Sequence, residues 1–209
     1  MLNKNLSIYL DLVRIIATLL VFISHAEKFN GAWINKLMPN FGHDAVVIFF
    51  ILSGFVIKYV AETKEDSLGK FFQARFIRIY SVVLPTLLLV FSLYLVGWLF
   101  DLDGYTNFLE INWLYILSIS TFFLNEIHDF DVLIPNNGPF WSICYEVSYY
   151  VLFAIVFYTQ GVKRVVLFFI FCVLIGFKIL LLFPLWLMGT VVYKIVRNQP
   201  VNIKFVLVG

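Results

Sequence analysis

Apolar runs of bilayer length recur along this chain, and that repetition restricts its fold more than any other feature. The first run extends from about Leu6 to Ala26. Others cover about Ala45–Tyr59, Ser81–Phe100, Phe140–Tyr158, Val165–Phe183 and Leu185–Val196. A helix needs roughly 20 residues to cross the hydrocarbon, since each adds about 1.5 Å. Inside lipid, only helices and closed barrels satisfy every backbone N–H and C=O. Composition agrees, with 62% of residues hydrophobic and 13% charged. A soluble domain is about half apolar and a quarter charged. The surplus has to face lipid. The expected fold is all-α, a polytopic transmembrane bundle of about six or seven spans with no soluble domain.

The segments between the runs set the topology. Glu27 to Asp44 is polar and broken by Gly31, Pro39 and Gly42. The most charged stretch reads Lys58, Glu62, Lys64, Glu65, Asp66, Lys70, Arg75, Arg78. Ser67 to Tyr80 predicts a cytoplasmic interfacial helix, with Leu68, Phe71, Phe72, Phe76 and Ile79 on one face. Trp113 to Leu124 is apolar but too short to span comfortably. Short loops rich in Lys and Arg stay cytoplasmic. If 113–124 does not cross, Lys163, Arg164, Lys194 and Arg197 join the 64–78 stretch on that side. A cytoplasmic 64–78 stretch itself places the N-terminus inside and the 27–44 loop outside. The first run lacks a small-residue cleavage site and is expected to be retained as a span. Ile203 to Gly209 reads as the start of a further span. Cys144 and Cys172 lie inside apolar runs and read as reduced packing residues. Net charge is only +2, and the bilayer rather than nucleic acid is the expected surroundings.

Ionisable residues inside spans are costly and are usually kept for function. The first span carries Asp11, Arg14 and His25. At about 100° per residue, Arg14 and His25 are offset by roughly 20°, and Asp11 lies within about 60° of both. All three share one face, with Arg14 and His25 about 16 Å apart along the axis. An imidazole takes and returns a proton near neutral pH, which suits a base acting on an alcohol. The plainer reading is an i,i+3 ion pair near one interface and a histidine at the other end.

Arg75 and Arg78 stand three apart and can bind phosphates through planar guanidinium forks. Arginine at a cytoplasmic membrane edge is equally an ordinary lipid and topology anchor. Glu146 lies in the first turns of an apolar run and needs a partner or a wet cavity. Beside it, Trp141 fits an interfacial belt and Ser142 a helix cap. Ser53 and Gly54 read as a close helix contact. Glu126, His128, Asp129 and Asp131 have no trusted metal-ligand spacing and read as a solvated acidic loop. No metal site is expected.

Together these pieces resemble the membrane-bound acyltransferase-3 family, whose members O-acylate sugars and other acceptors. Asp11, Arg14, Ala17, Val21 and His25 match its opening D-x-x-R-x-x-A-x-x-x-V-x-x-x-H pattern. Phe49, Phe50, Ser53, Gly54 and Phe55 are similar to its second-span signature. Phe72, Arg75, Arg78 and Ile79 resemble its F-x-x-R-x-x-R-I motif, and Trp141, Ser142, Glu146 and Tyr150 its W-S-x-x-x-E-x-x-x-Y motif. Leu187, Met188, Gly189 and Tyr193 resemble a later glycine-containing span. Ser81 stands where the family often has proline, and Tyr149 where it usually has phenylalanine.

The resemblance implies a membrane O-acyltransferase of a bacterial inner membrane. It would move an acyl group, acetyl foremost, from acyl-CoA as co-substrate to a hydroxyl of a carbohydrate or glycan precursor. No bound cofactor is implied. His25 would be catalytic, as base or as nucleophile, with Glu146 supporting it. Asp11, Arg14, Arg75, Arg78, Trp141 and Ser142 would line the substrates. The resemblance also implies a larger bundle than 209 residues supply, so residues 1–209 are expected to be a single acyltransferase-type transmembrane domain, incomplete at the C-terminus. Two rivals remain at this stage. One is a transporter or flippase for a glycan or lipid-linked substrate, and the other an inactive, truncated acyltransferase remnant.

Overall fold

The computed structural model describes residues 4–30, 42–129, 132–135 and 137–198, without the side chains of residues 4, 5, 25–30, 43 and 129. Most of the 27–44 loop, Asp131, Asn136 and the 203–209 segment lie outside the described residues. Seven α-helices are present among those residues, with no strand. They are α1 (Lys4–Asn30), α2 (Gly42–Thr63), α3 (Leu68–Leu99), α4 (Trp113–Thr121), α5 (Trp141–Tyr158), α6 (Gly161–Ile175) and α7 (Phe177–Asn198). By length and composition, five helical segments can cross a membrane: Leu6–Ser24, Asp44–Thr63, Leu68–Leu99, Gly138–Tyr158 and Phe177–Asn198. The protein is a helical membrane bundle.

Two boundaries differ from the sequence reading. The interfacial helix and the third span form one continuous helix of 32 residues. At about 1.5 Å per residue it is some 48 Å long, against about 30 Å of hydrocarbon. Its first turns therefore extend beyond the apolar core. Nothing at Tyr80–Ser81 breaks it, and Pro85 is carried inside. Ser67 starts it by accepting from the Lys70 backbone N–H at 3.4 Å.

The break expected near Pro184 falls instead at Gly176. Gly176 has φ +81°, a conformation that suits glycine. It ends α6 after 15 residues, while Pro184 is accommodated inside α7. α4 has nine residues, about 14 Å, too short to cross.

The chain divides into two compact units. One holds 1–64 with 182–209, and the other 65–181, so α7 contributes to both. In the first unit α1 packs along α2. Leu10, Leu52, Phe55 and Tyr193 form its core, joined by Leu6, Val13 and Ile48. α2 and α7 meet at glycines. A Cβ on Gly54 would fall on the Trp186 carbonyl, and one on Gly189 on the Ile51 carbonyl. Close backbone approach of this kind is how small residues join membrane helices.

The second unit packs α3 through a buried stripe of Phe71, Arg75, Val83, Leu87 and Tyr94. Leu68, Phe72 and Phe76 are exposed, as suits a surface turned to lipid. α5 supplies most of the rest, with Tyr149 donating its hydroxyl to the Ile179 carbonyl at 2.7 Å.

Candidate functional site

In the first unit, residues 6, 10, 13 and 17 of α1 form the packing stripe. The face bearing Asp11, Arg14 and His25 lies roughly 100° around the helix from it. That rotation leaves Asp11 exposed and Arg14 partly exposed. Arg14 donates to Asp11 at 3.3 Å, and their side chains are 33% and 62% exposed. The Arg14 carbonyl accepts from the Thr18 hydroxyl at 2.8 Å. His25 belongs to α1, but its side chain lies outside the described residues.

In the second unit, Arg75 and Arg78 do not share an environment. Three residues on an ideal helix leave a rotation of about 60°. That suffices to bury Arg75 on the inner stripe and leave Arg78 exposed. Arg75 donates through both terminal nitrogens to Glu65, Nη1 to Oε1 at 2.8 Å and Nη2 to Oε2 at 2.9 Å. Only 7% of Arg75 and 6% of Glu65 is exposed. The guanidinium carbon lies 4.7 Å from the Phe71 ring centre and 5.8 Å from that of Tyr150, distances at which a cation is attracted to an aromatic face. Arg75 Nε is buried and has no hydrogen-bond partner.

α5 closes this arrangement. Tyr150 donates its hydroxyl to the Glu146 carboxylate one turn earlier. Tyr158 donates to the Glu65 carbonyl at 2.8 Å. Glu65, Arg75, Tyr150 and Glu146 therefore run as a continuous polar and cation–aromatic chain. Trp141 packs edge-on against Tyr145, 5.1 Å between centres, and Tyr145 against Tyr149. Ser142 does not cap α5 as expected. Its hydroxyl donates to the Pro139 carbonyl at 2.9 Å, because the preceding turn presents that oxygen.

The sequence reading missed Glu65 as a partner. It lies in a run of charges that reads as exposed loop, and Asp66 beside it is indeed exposed. The hydrogen bond from Lys70 holds the Asp66 carboxyl below the usual carboxylate range. Glu65 and Arg75 are ten residues apart across a helix start, a separation that no helical period reports.

Glu126 is a second correction. Instead of lying in a solvated loop it is buried and pairs with Lys178 at 2.6 Å. Nearby Asn125 donates to the Ser120 hydroxyl at 3.0 Å and the Val132 carbonyl at 2.8 Å. The surrounding turn needs positive φ at Phe123 and His128, which no composition rule would single out. Both free cysteines are on helices, Cys144 buried with its thiol donating to the Phe123 carbonyl at 2.7 Å.

The fold and these buried and intramembrane charges define a polytopic helical membrane protein with polar chemistry held inside apolar units. A family model described as an acyltransferase domain matches residues 7–203. The chain therefore belongs to the membrane-bound acyltransferase-3 family. No curated protein and no solved structure matches it.

Proposed function

We propose that the protein is a membrane O-acyltransferase that moves an acyl group, acetyl foremost, from acyl-CoA to a hydroxyl of a carbohydrate or glycan precursor. The observation that carries the reading is the family match over 7–203. It runs through every motif that holds a titratable group, namely Asp11, Arg14, His25, Arg75, Arg78 and Glu146. Acyl transfer asks for a base, a route for a nucleotide-bearing donor and an acceptor pocket, and these side chains suit those tasks.

In the proposed reaction, the His25 imidazole removes the proton of the acceptor hydroxyl. The oxygen attacks the thioester carbonyl and forms the new ester bond. The carbon–sulfur bond breaks, and the departing CoA thiolate takes the proton back from the imidazolium. Exposed Arg78 and the neighbouring lysines attract the donor phosphates. Asp11 keeps Arg14 oriented on the His25 face, while Trp141, Ser142 and Glu146 attend the acceptor. The location is a bacterial inner membrane with the N-terminus cytoplasmic. A non-crossing α4 supports this, since Lys163 and Arg164 then share a side with the 64–78 stretch.

Membranes containing the protein are incubated with radiolabelled acetyl-CoA and candidate glycans. Labelled glycan is expected, and His25→Ala should remove at least about 10²-fold of the rate, the usual contribution of a positioned acid–base group. An unchanged rate would sink the assignment of His25. Glycan crossing the membrane without CoA release would favour a flippase instead. A labelled histidine trapped by acid quench would make the imidazole a nucleophile rather than a base.

A further inference from the structure

We infer that Glu65 is a positioning residue. By occupying the terminal fork of Arg75, it leaves the Nε–H as the edge that binds a neutral carbonyl oxygen of the acyl donor. The inference rests on the donor being acyl-CoA, as proposed above, and goes beyond it in assigning Arg75 an amide or thioester carbonyl rather than a phosphate.

Three observations lead there. The Glu65 carboxylate grips Arg75 end-on, one oxygen to each terminal nitrogen, at 2.8 and 2.9 Å. The fork that recognises phosphate bidentately is therefore already filled. Next, the pair carries no net charge. A phosphate arriving at it would meet the Glu65 carboxylate as well as the guanidinium, whereas a neutral carbonyl needs only one donor. Last, Arg75 Nε is buried without a partner, although buried donors are almost always paired. The rings of Phe71 and Tyr150 near the guanidinium make the surroundings apolar, and there a single N–H···O bond is strong. Glu65 is itself held by the Tyr158 hydroxyl on its carbonyl, so the fork is fixed before any ligand arrives. The carbonyl can come from either of two parts of the donor, the amides of the pantetheine arm or the thioester.

The test is binding, measured by calorimetry on the full chain in nanodiscs, with acetyl-CoA, CoA and adenosine 3′,5′-bisphosphate. Arg75→Lys keeps the positive charge opposite Glu65 but removes the Nε–H. It should weaken CoA and acetyl-CoA by about tenfold or more and leave the bisphosphate unchanged. Equal losses for CoA and acetyl-CoA would place the oxygen in the pantetheine arm, and a loss confined to acetyl-CoA would place it in the thioester. Glu65→Gln should give the same selective loss, with Glu65→Asp restoring part of it. A loss shared equally by the bisphosphate would make Arg75 a phosphate ligand and overturn the inference, as would no change for any ligand.

Should the variants unfold, the wild-type protein labelled with 15N-arginine answers the same question. The Arg75 Nε–H resonance should move on adding CoA and stay in place with the bisphosphate; the reverse, or no movement with either, overturns the inference. Failure of the wild-type protein to bind any of the three ligands would instead remove the acyl-CoA reading on which the inference stands.

Discussion

The two units hold the charges of their family motifs in different ways. In the first, Asp11 and Arg14 are neighbours on one helix, exposed and joined by one bond of 3.3 Å. Cohesion there comes from apolar side chains, from helices that touch at Gly54 and Gly189, and from Arg197 of α7 pairing with the half-buried Glu62 of α2. In the second, Glu65 and Arg75 are buried, ten residues apart and joined by two short bonds. Aromatic rings and the Tyr158 hydroxyl surround them. A local pair forms wherever its helix forms. A buried, non-local pair exists only if the surrounding unit is assembled, and it then becomes part of what keeps that unit assembled.

The comparison breaks first, if it breaks, at Glu65. Glu65→Ala strands a buried guanidinium, and removing one partner of such a pair costs about 3–5 kcal/mol. Thermal unfolding in detergent should show a drop larger than that of Gly189→Val, Tyr158→Phe or Asp11→Asn, and a shift within error would mean that the pair contributes nothing to the unit. Next comes Gly189→Val in the first unit. Its Cβ would meet the Ile51 carbonyl and the Phe55 N–H, and overpacking of this kind costs about 1–3 kcal/mol. Wild-type stability in that variant would mean that α2 and α7 do not rely on close approach.

Tyr158→Phe tests the outer support of the buried pair. Losing its bond to the Glu65 carbonyl should cost about 1 kcal/mol, measurable by chemical denaturation. A loss as large as that of Glu65→Ala would shift the weight from the ion pair to the tyrosine. The smallest effect belongs to Asp11→Asn, expected between about 0 and 1 kcal/mol for an exposed pair. A much larger loss would show that the α1 face is covered in the membrane, contrary to its exposure here.

Legibility in the sequence followed locality. The apolar runs specified helices, and the spacing of Asp11, Arg14 and His25 put all three on one face of α1. The shortness of α4 and the i,i+3 meeting of Asp11 with Arg14 were readable in the same way. The union of the interfacial segment with the third span was not. An apolar face beside charged residues looks the same on a helix lying in the interface and on one that leaves the bilayer. The end of α6 was misplaced because proline is the stronger breaker in a sequence, whereas inside a membrane helix its missing hydrogen bond is tolerated. Gly176 stops the helix through its backbone angle, which residue type alone does not declare.

The sequence by itself determined a helical membrane protein, the identity of its intramembrane charges and the family motifs that carry them, since each depends on hydrophobic run length or on spacing within one helix. Only the tertiary structure decided that Arg75 and Arg78 part company, that Glu65 rather than a ligand fills the Arg75 fork, and that Glu126 is buried against Lys178. Those outcomes depend on which side chains meet across distant segments. Burial then raises the cost of any unpaired charge, so a meeting that no local pattern encodes becomes decisive for the site.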